Sequence, residues 1–345
     1  MRWLSDVTVR HLRRVAEWPD LGETKYRLLD ELGRGGMGAV YLAEDTVLGR
    51  PVALKVVATG AAGGGTAERL WNEARVLARL EHPGIVPVHD AGALPDGRIF
   101  YAMKRVDGRR LDELAPDLPR LERLRAFQRL CEPVAFAHAR GVVHRDLKPE
   151  NVMVGPFGEV LVMDWGVAKA LGGADASGPP GRAAADSPAV RTSEGAVVGT
   201  PAYMAPEQAS GSGAVGAAAD VYALGGILHF LVTGKAPFDD AGAAARARDG
   251  GRAEPPAPRD VAPDVPPALE AIVLRAMALD PGDRYPSVEA LAAEVGRFCG
   301  GERVLAHDEG LPARVRRFAA RYQTPILIVA AYLVMRAVLL LYGRR

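Results

Sequence analysis

A short run in the middle of the chain carries groups that can serve phosphoryl transfer. The run is HRDLKPEN at residues 144–151, and DWG follows at residues 164–166. Asp146 can accept a hydroxyl proton, and Lys148 can neutralise the charge that develops on a phosphate. Asn151 and Asp164 offer the oxygen ligands that Mg²⁺ prefers. Each residue alone reads as an ordinary loop or surface residue, but the four together, in this order, predict phosphoryl transfer.

A glycine pattern upstream can hold phosphates. Gly33, Gly35, Gly38 and Val40 match G-x-G-x-x-G-x-V between two predicted strands. Without side chains at the glycines, backbone N–H groups can approach anionic oxygens closely. The pattern alone fits a flexible hairpin equally well, because the chain contains 39 glycines. A Rossmann dinucleotide site is disfavoured, since the helix that such a site needs after its glycines is missing.

Two charged residues further along can form an ion pair beside these phosphates. Lys55 ends an apolar strand, and a compact ammonium suits pairing with phosphate oxygens. Glu73 lies on the next predicted helix, in phase with Ala74 and Leu77, and can hold the lysine in place. Standing alone, Lys55 reads as a strand lysine that reaches solvent and Glu73 as a solvated face residue.

The elements that must position these residues fall into two groups. Alternating apolar residues predict three strands within 26–57, and further strands near 85–88 and 99–103 follow a helix at 68–80. After residue 108 the pattern turns helical. The clearest predicted helices lie at 120–140, 221–233, 268–278 and 288–298. A small β-rich lobe followed by a larger helical lobe is expected.

Composition sets the outer limits on function. With 48% hydrophobic and 25% charged residues among 345, the chain can bury a large core, and disorder of the whole chain is excluded. Its formal net charge of +1 gives no electrostatic argument for nucleic-acid binding. Residues 170–196 are rich in Gly, Ala, Ser, Pro and Asp and are predicted to be mobile. The first twenty residues are too charged for a secretory signal.

Over residues 26–298 the sequence resembles the bacterial Hanks-type, or eukaryotic-like, Ser/Thr protein kinase family. The resemblance implies the α+β class and a bilobed protein kinase-like fold, with a small β-rich N-lobe (26–103), a hinge (104–107) and a larger helical C-lobe (108–298). An N-terminal segment of residues 1–25 precedes it.

The resemblance also implies the cofactors ATP and Mg²⁺ and a role for each site residue. Asp146 is the implied base, Lys148 assists transfer, Lys55 and Glu73 form the ion pair, and Asn151 and Asp164 are the metal ligands. The residues implied to contact ATP belong to the glycine loop, the strand lysine, the back of the adenine pocket and the hinge. They are Leu32, Gly33, Arg34, Gly35, Gly36, Met37, Gly38, Ala39, Val40, Lys55, Met103 and Val106.

Residues 199–207 resemble the end of the family's activation segment. Thr200 before the Ala-Pro-Glu that ends at Glu207, together with Lys148, resembles the Ser/Thr branch of the family rather than the tyrosine branch. Because Arg145 precedes the implied base, the analogy implies activation by autophosphorylation within 167–198, with Thr192 and Ser193 as the candidate sites.

The resemblance further implies two structural anchors in the large lobe, Asp220 and Arg284, and Arg284 is expected to pair with Glu207. Two positions depart from the family pattern. Trp165 replaces the usual Phe, and its larger ring is expected to pack between the lobes and to affect regulation more than chemistry. Lys104 stands in the hinge where an acidic residue is common, and recognition of adenine by the backbone should survive this change.

The C-terminus contains an apolar stretch at 325–342, interrupted by Arg336. A helix of these 18 residues would nearly cross a hydrocarbon core of ~30 Å. Four arginines lie at positions 314–321, within the segment 299–324 before it, which favours a cytoplasmic position for the kinase domain. We expect a basic juxtamembrane segment and a transmembrane helix, and hence a single-pass protein of the cell membrane. An interfacial or docking helix is the alternative.

The sequence therefore predicts a Ser/Thr protein kinase that transfers the γ-phosphate of ATP to protein hydroxyls. Its expected partners are protein substrates and the membrane, without nucleic acid, and the resemblance allows a kinase homodimer. A pseudokinase scaffold at the membrane is the alternative from another class, against which Lys55, Asp146, Asn151 and Asp164 argue. A small-molecule phosphotransferase would not need the segment 199–207.

Overall fold

The chain folds into a small β-rich lobe followed by a larger helical lobe, as the sequence predicts. The computed structural model describes residues 18–35, 38–57, 65–165, 169–170, 201–210, 215–239, 242, 253–308, 310 and 323–342. A continuous hydrophobic core joins the helix of the small lobe to the helices of the large one.

The small lobe is built on one antiparallel sheet of five strands in the order β1-β2-β3-β5-β4. The strands are β1 Tyr26–Gly35, β2 Gly38–Asp45, β3 Arg50–Val56, β4 Val88–Ala93 and β5 Ile99–Lys104, and helix α1 Gly65–Leu77 packs against them. The three strands expected within 26–57 are confirmed. The strand expected at 85–88 is wrongly placed, because Ile85 lies buried in the core and forms only an isolated bridge with Val162.

The two faces of this sheet bury different side chains, because successive side chains of a strand point to opposite sides. On β3, Leu54 joins a cluster on the outer face, whereas Ala53 joins the core that contains α1. On β5, Phe100 lies on the outer face and Tyr101 on the α1 face. Lys55, two residues after Ala53, is thereby directed at α1.

The large lobe packs its helices around α5, which is buried along most of its length. The helices are α2 Leu111–Leu114, α3 Arg120–Ala139, α4 Pro206–Ala209, α5 Ala217–Thr233, α6 Pro258–Val261, α7 Pro267–Ala276 and α8 Val288–Cys299. The four predicted helices are confirmed, with ends that differ by a few residues. Helix α5 ends at Gly234, whose φ of 76° is a left-handed conformation that glycine adopts at little cost.

Short strands at the junction of the lobes carry the segments of chemical interest. Strands β6 Arg109–Arg110, β8 Val152–Val154 and β9 Val160–Val162 form one small sheet, and β7 Val142–Val143 pairs with β10 Lys169–Ala170. The segment 144–151, hereafter the 144–151 loop, connects β7 to β8. Residue 164 lies two residues after the end of β9, and Val152 at the start of β8 pairs with Val162 at the end of β9, so both segments leave the small sheet at the same end.

The chain beyond α8 is held on the large lobe by Glu294. This buried carboxylate accepts hydrogen bonds from the backbone N–H groups of Leu305 (3.2 Å) and Ala306 (2.9 Å), and Val304 is buried beside them. Helix α9 spans Gln323–Tyr342. Among the residues that the structure describes, no helix is both long and apolar enough to cross a membrane. The transmembrane helix expected at 325–342 is therefore not supported.

Candidate active site

Lys55 lies at the centre of the site and joins both lobes. Its Nζ donates to the two carboxylate oxygens of Glu73 at 2.8 and 2.9 Å, so the predicted ion pair is present. The same ammonium donates to Oδ1 of Asp164 at 2.7 Å. The side chain of Glu73 is 2% exposed and that of Lys55 10% exposed, so the pair lies away from bulk water. Helix α1, strand β3 and the segment after β9 are thus connected through one cation.

The electrostatics of this group favour the charged forms of Lys55 and Asp164, whereas burial raises the pKa of Glu73 above its ordinary value. Burial acts to lower the pKa of Lys55, but the carboxylates of Glu73 and Asp164 outweigh it and raise the pKa above its ordinary value. Burial also acts to raise the pKa of Asp164, and the nearby ammonium outweighs this effect, so the pKa lies below its usual range. Lys55 therefore stays charged at neutral pH and keeps Asp164 ionised.

The 144–151 loop brings three of the predicted residues together. Lys148 Nζ lies 3.3 Å from Oδ2 of Asp146, and the buried Asn151 donates through Nδ2 to the backbone carbonyl of Asp146 at 2.8 Å and to its Oδ2 at 3.2 Å. The side chain of Asp146 remains 30% exposed. The carboxylate is thus oriented by two neighbours while one side stays open to a reacting group.

Asp220, on helix α5, fixes the backbone of the 144–151 loop. Its carboxylate accepts hydrogen bonds from the N–H groups of His144 and Arg145, each at 2.8 Å, and lies 2.7 Å from Nε2 of His138. Arg145 has a φ of 70°, a left-handed conformation that side-chain-bearing residues rarely adopt. A fully buried carboxylate with charge-assisted bonds can hold this strained turn, and the anchoring role expected for Asp220 is present.

Trp165 packs between the lobes, as expected. Its side chain is 1% exposed, its indole N–H donates to the carbonyl of Val162 at 3.3 Å, and its ring lies 4.6 Å from that of His144. Asp164, just before it, has a φ of 56°. This backbone turn buries the tryptophan and leaves the adjacent carboxylate facing Lys55.

The glycine loop forms a hairpin between β1 and β2. Gly38 has a φ of 144°, and a Cβ there would lie 2.1 Å from the carbonyl oxygen of Val56, so no other residue fits without moving the strand. At Gly33 and Gly35 a Cβ would meet nothing within 4 Å, and this side of the hairpin is therefore open. Leu32 beside them is exposed.

Three of the five remaining residues of the expected ATP-binding loop lie in the part of the chain that the structure describes. Arg34 pairs with Glu31 on the surface, Ala39 is buried, and Val40 lies partly buried beneath the hairpin. Gly36 and Met37 lie outside the residues that the structure describes.

A pocket of about 130 Å³ opens between the sheet and the segment after β9. Its lining is mainly apolar and includes two charged side chains, Lys55 and Asp164. The lining residues are Val40, Lys55, Leu77, Val86, Tyr101, Met103, Val162, Met163, Asp164 and Trp165. Met103, expected at the back of the adenine pocket, thus lines the same cavity as Lys55. Lys104 is exposed and Val106 is partly buried at the start of the connection to the large lobe.

The expected anchor between Arg284 and Glu207 is also present. The guanidinium donates through Nη1 and Nη2 to the two carboxylate oxygens at 2.7 and 2.8 Å. This bidentate pair ties helix α4 to the base of the large lobe. Thr192, Ser193 and Thr200, the other residues named for the activation segment, lie outside the described residues.

Two residues of the site escaped the sequence analysis. Tyr101 donates its hydroxyl to Oε1 of Glu73 at 2.9 Å, and Gln208 donates through Nε2 to the carbonyl of Arg145 at 2.8 Å. No motif marks either residue. The only signal for Tyr101 was its alternation with Phe100 on a predicted strand, which becomes informative once the pairing of β5 with β3 is known.

The site can hold a nucleoside triphosphate together with a divalent metal ion. Val40, which follows the glycine hairpin, lines a cavity that also contains the ammonium of Lys55, and a cation beside a glycine-rich hairpin is a suitable environment for phosphate oxygens. Within the described part of the chain, no group of three or more His, Cys, Asp or Glu side chains could hold a metal by itself. Asn151 and Asp164 supply two oxygens, a donor set that fits a hard cation which keeps water and phosphate among its ligands.

Comparison with known proteins agrees with this arrangement. Residues 26–294 match the family model described as "Protein kinase domain". Among solved structures, the PknI kinase domain of Mycobacterium tuberculosis is similar, with 29% sequence identity and a TM-score of 0.61, over 81% of this chain and 96% of that domain.

Two curated bacterial proteins illustrate the sequence relatives. The Ser/Thr-protein kinase Pkn1 of Myxococcus xanthus is 41% identical over 273 residues, which cover 77% of this chain and 37% of the relative. The Ser/Thr-protein kinase PknD of Chlamydia pneumoniae is 34% identical over 322 residues, which cover 88% of this chain and 34% of the relative. The chain thus spans about a third of the length of these two relatives.

Proposed function

Because the chain belongs to the protein kinase family, we propose that it is a Ser/Thr protein kinase that transfers the γ-phosphate of ATP to Ser or Thr hydroxyls of proteins. The observation that carries the proposal is the contact of Lys55 with both Glu73 and Asp164, at 2.7 to 2.9 Å. This contact brings charged groups of both lobes together, and two of them, Lys55 and Asp164, line one cavity.

Each residue of the site has a defined task in this reaction. Asp146 accepts the proton of the attacking hydroxyl, and Asn151 keeps its carboxylate in place. Lys148, 3.3 Å from the same carboxylate, lies where it can neutralise charge on the transferring group. Lys55 orients the phosphates, and Glu73 orients Lys55. The glycine hairpin covers the phosphates with backbone N–H groups.

For the metal we propose Mg²⁺ held by Asn151 and Asp164. When bound, the ion would neutralise phosphate oxygens and help to align them for transfer. Lys55 lowers the pKa of Asp164, which keeps this ligand ionised at neutral pH. Asn151 would be available as a ligand through its Oδ1, because its Nδ2 is held by the backbone carbonyl and Oδ2 of Asp146.

For the acceptor and its regulation we rely on the motifs and the relatives. Lys148 in the 144–151 loop is the feature of the Ser/Thr branch, and the relatives are named as Ser/Thr-protein kinases. We further propose activation by autophosphorylation within 167–198, with Thr192 and Ser193 as sites. Arg145 supports this, because a guanidinium next to the base can pair with a phosphate on that segment.

We also propose that the C-terminal segment associates with a membrane, with the kinase domain on the cytoplasmic side. The described side chains from Leu327 to Met335 are exposed although most are apolar, and seven arginines with no carboxylate lie from residue 311 onward. Flotation with anionic phospholipid vesicles would test this, because the chain should float with the vesicles and a chain cut after residue 310 should not.

Homodimer formation stays a prediction.

Transfer of radiolabelled γ-phosphate tests the proposed activity. The unaltered chain with Mg²⁺ and a generic protein substrate should incorporate label, and Asp146→Asn should lower the rate by at least about a hundredfold. Asp308→Asn, at a fully exposed carboxylate far along the chain, is the matched control and should behave as the unaltered chain. Excess EDTA should abolish transfer, and added Mg²⁺ should restore it.

The same assay separates the kinase from a pseudokinase scaffold. No label on substrate or on the chain itself, at any divalent metal tested, would favour the scaffold. Label on the unaltered chain that maps to Thr192 or Ser193 would support the proposed regulation, whereas label only outside 167–198 would contradict it while leaving the activity in place.

A further inference from the structure

Tyr101 contacts the ion pair of Lys55 and Glu73, and none of the tasks assigned above for phosphoryl transfer involves this tyrosine. Its hydroxyl donates to Oε1 of Glu73 at 2.9 Å, and the ammonium of Lys55 lies 5.8 Å from the centre of its ring. The tyrosine is 2% exposed, so water cannot replace this hydrogen bond easily. A single buried carboxylate is therefore held by two strands, through Lys55 of β3 and Tyr101 of β5.

The sheet register explains why these groups meet. Lys55 and Tyr101 are direct partners in the antiparallel pairing of β3 with β5. Side chains directly opposite each other lie on the same face, about 5 Å apart at Cβ. Both polar ends thus reach the same point on α1, where Glu73 is directed into the sheet.

We propose that Tyr101 is a positioning residue that fixes Glu73, and through it helix α1 and Lys55, in the arrangement needed for phosphoryl transfer. The inference rests on the proposed function. Its physical basis is that Oε1 of Glu73 receives two donors, Lys55 at 2.8 Å and Tyr101 at 2.9 Å, whereas Oε2 receives Lys55 at 2.9 Å. The tyrosine bond remains when Lys55 turns toward phosphate oxygens, so that α1 does not depend on the lysine alone.

The protonation state of the tyrosine suits this role. Burial and the adjacent carboxylate of Glu73 raise the pKa of Tyr101 well above its ordinary value. The hydroxyl therefore keeps its proton at neutral pH and can donate to Glu73. A hydrogen bond to a buried charged group is among the stronger ones in proteins, and its loss leaves the charge poorly compensated.

Tyr101→Phe removes only the hydroxyl and keeps the ring that fills the core. We expect kcat to fall about 5- to 20-fold, with the KM for ATP changed less than about twofold, because fewer molecules hold α1 in the competent position. Tyr285→Phe is the matched control. Tyr285 is also buried, and its hydroxyl has no hydrogen-bond partner among the residues that the structure describes.

A double-mutant cycle separates positioning from a general effect on packing. In a Glu73→Ala background, Tyr101→Phe should change kcat less than about twofold, because the group through which it acts is gone. An unchanged kcat in the single variant, or an equal loss in both backgrounds, would overturn the proposal.

Hydrogen exchange in α1 gives a reading that does not depend on activity. The amides at 70–77 should exchange about 5- to 20-fold faster in Tyr101→Phe than in the unaltered chain or in Tyr285→Phe. Equal exchange in all three would refute the tether even if kcat fell. Absence of phosphate transfer by the unaltered chain would refute the proposed function instead, while the exchange result would still decide whether Tyr101 holds α1.

Discussion

Replacing Arg284 by methionine should be among the most costly single changes in the large lobe. The guanidinium is completely buried and donates five hydrogen bonds. Two go to the carboxylate of Glu207, and three go to the backbone carbonyls of Ala278, Ala218 and Leu279, at 2.8, 2.8 and 3.1 Å. Methionine fills a similar volume but offers no donor, so the carboxylate and three carbonyls lose their partner together.

The expected size of the effect follows from this geometry. Removing one partner of a buried ion pair costs about 3–5 kcal/mol, because the other charge, here a carboxylate whose side chain is only 17% exposed, is left without compensation. The three carbonyls would add to this cost where water cannot reach them. The exposed pair of Arg125 and Glu122, with side chains 54% and 48% exposed, is the comparison, because such pairs contribute about 0–1 kcal/mol. The two substitutions should therefore differ by about 3 kcal/mol or more.

Urea unfolding followed by circular dichroism measures this difference directly. Arg284→Met should lower the free energy of unfolding of the large lobe by about 3–5 kcal/mol and Arg125→Met by less than 1. Adding Glu207→Gln to Arg284→Met should recover part of the loss, since the uncompensated charge is then removed. A loss below about 1 kcal/mol in Arg284→Met would show that the buried pair does not stabilise the lobe, and the reasoning would be wrong.

Three further predictions concern single positions. Gly38→Ala should lower stability by about 1–3 kcal/mol in thermal unfolding, because its Cβ would lie 2.1 Å from a carbonyl oxygen of β3, whereas Gly33→Ala should be close to neutral; equal effects would contradict the geometry. Gly225→Ala should destabilise the protein despite a gain of about 1 kcal/mol in helix propensity, because the new Cβ would lie 2.7 Å from the side chain of Met277. Gly296→Ala should stabilise it, because the new Cβ would lie 3.1 Å from the movable side-chain amide of Gln128. The opposite order of stabilities would refute the packing argument. Asp220→Asn should lower kcat about 10- to 100-fold with little change in the KM for ATP, because the amide nitrogen cannot accept from the N–H groups of the 144–151 loop; an unchanged kcat in the radiolabel assay would count against this anchor.

Much of the fold could be predicted because its signals are local. Strands β1 to β3 follow from alternation around turns, and α3, α5, α7 and α8 follow from helical periodicity. The misplaced strand at 85–88 shows the limit of such signals. Ile85 and Val86 are as apolar as strand residues, but they are buried between the lobes instead of joining the sheet. A local apolar run cannot distinguish these two kinds of burial.

The expected C-terminal membrane helix shows the same limit from another side. Periodicity and apolar content predicted a helix at 325–342, and α9 at Gln323–Tyr342 agrees with that. The finding that no described helix can cross a membrane does not support the further step to a transmembrane segment. Apolar composition indicates that a segment prefers an apolar environment. It does not tell whether that environment is a lipid bilayer or the surface of another protein element.

The sequence by itself determined the chemistry of the site. The spacing of Asp146, Lys148 and Asn151 places three side chains on one short loop, where a few backbone dihedrals decide their geometry, and a motif can therefore encode them. Only the tertiary structure decided that Tyr101 donates a hydrogen bond to Glu73 of the ion pair. Its contact with Glu73 joins residues 28 apart through the register of β3 with β5 and the docking of α1. Such a contact depends on the packing of three elements at once, and no local pattern in the sequence records it.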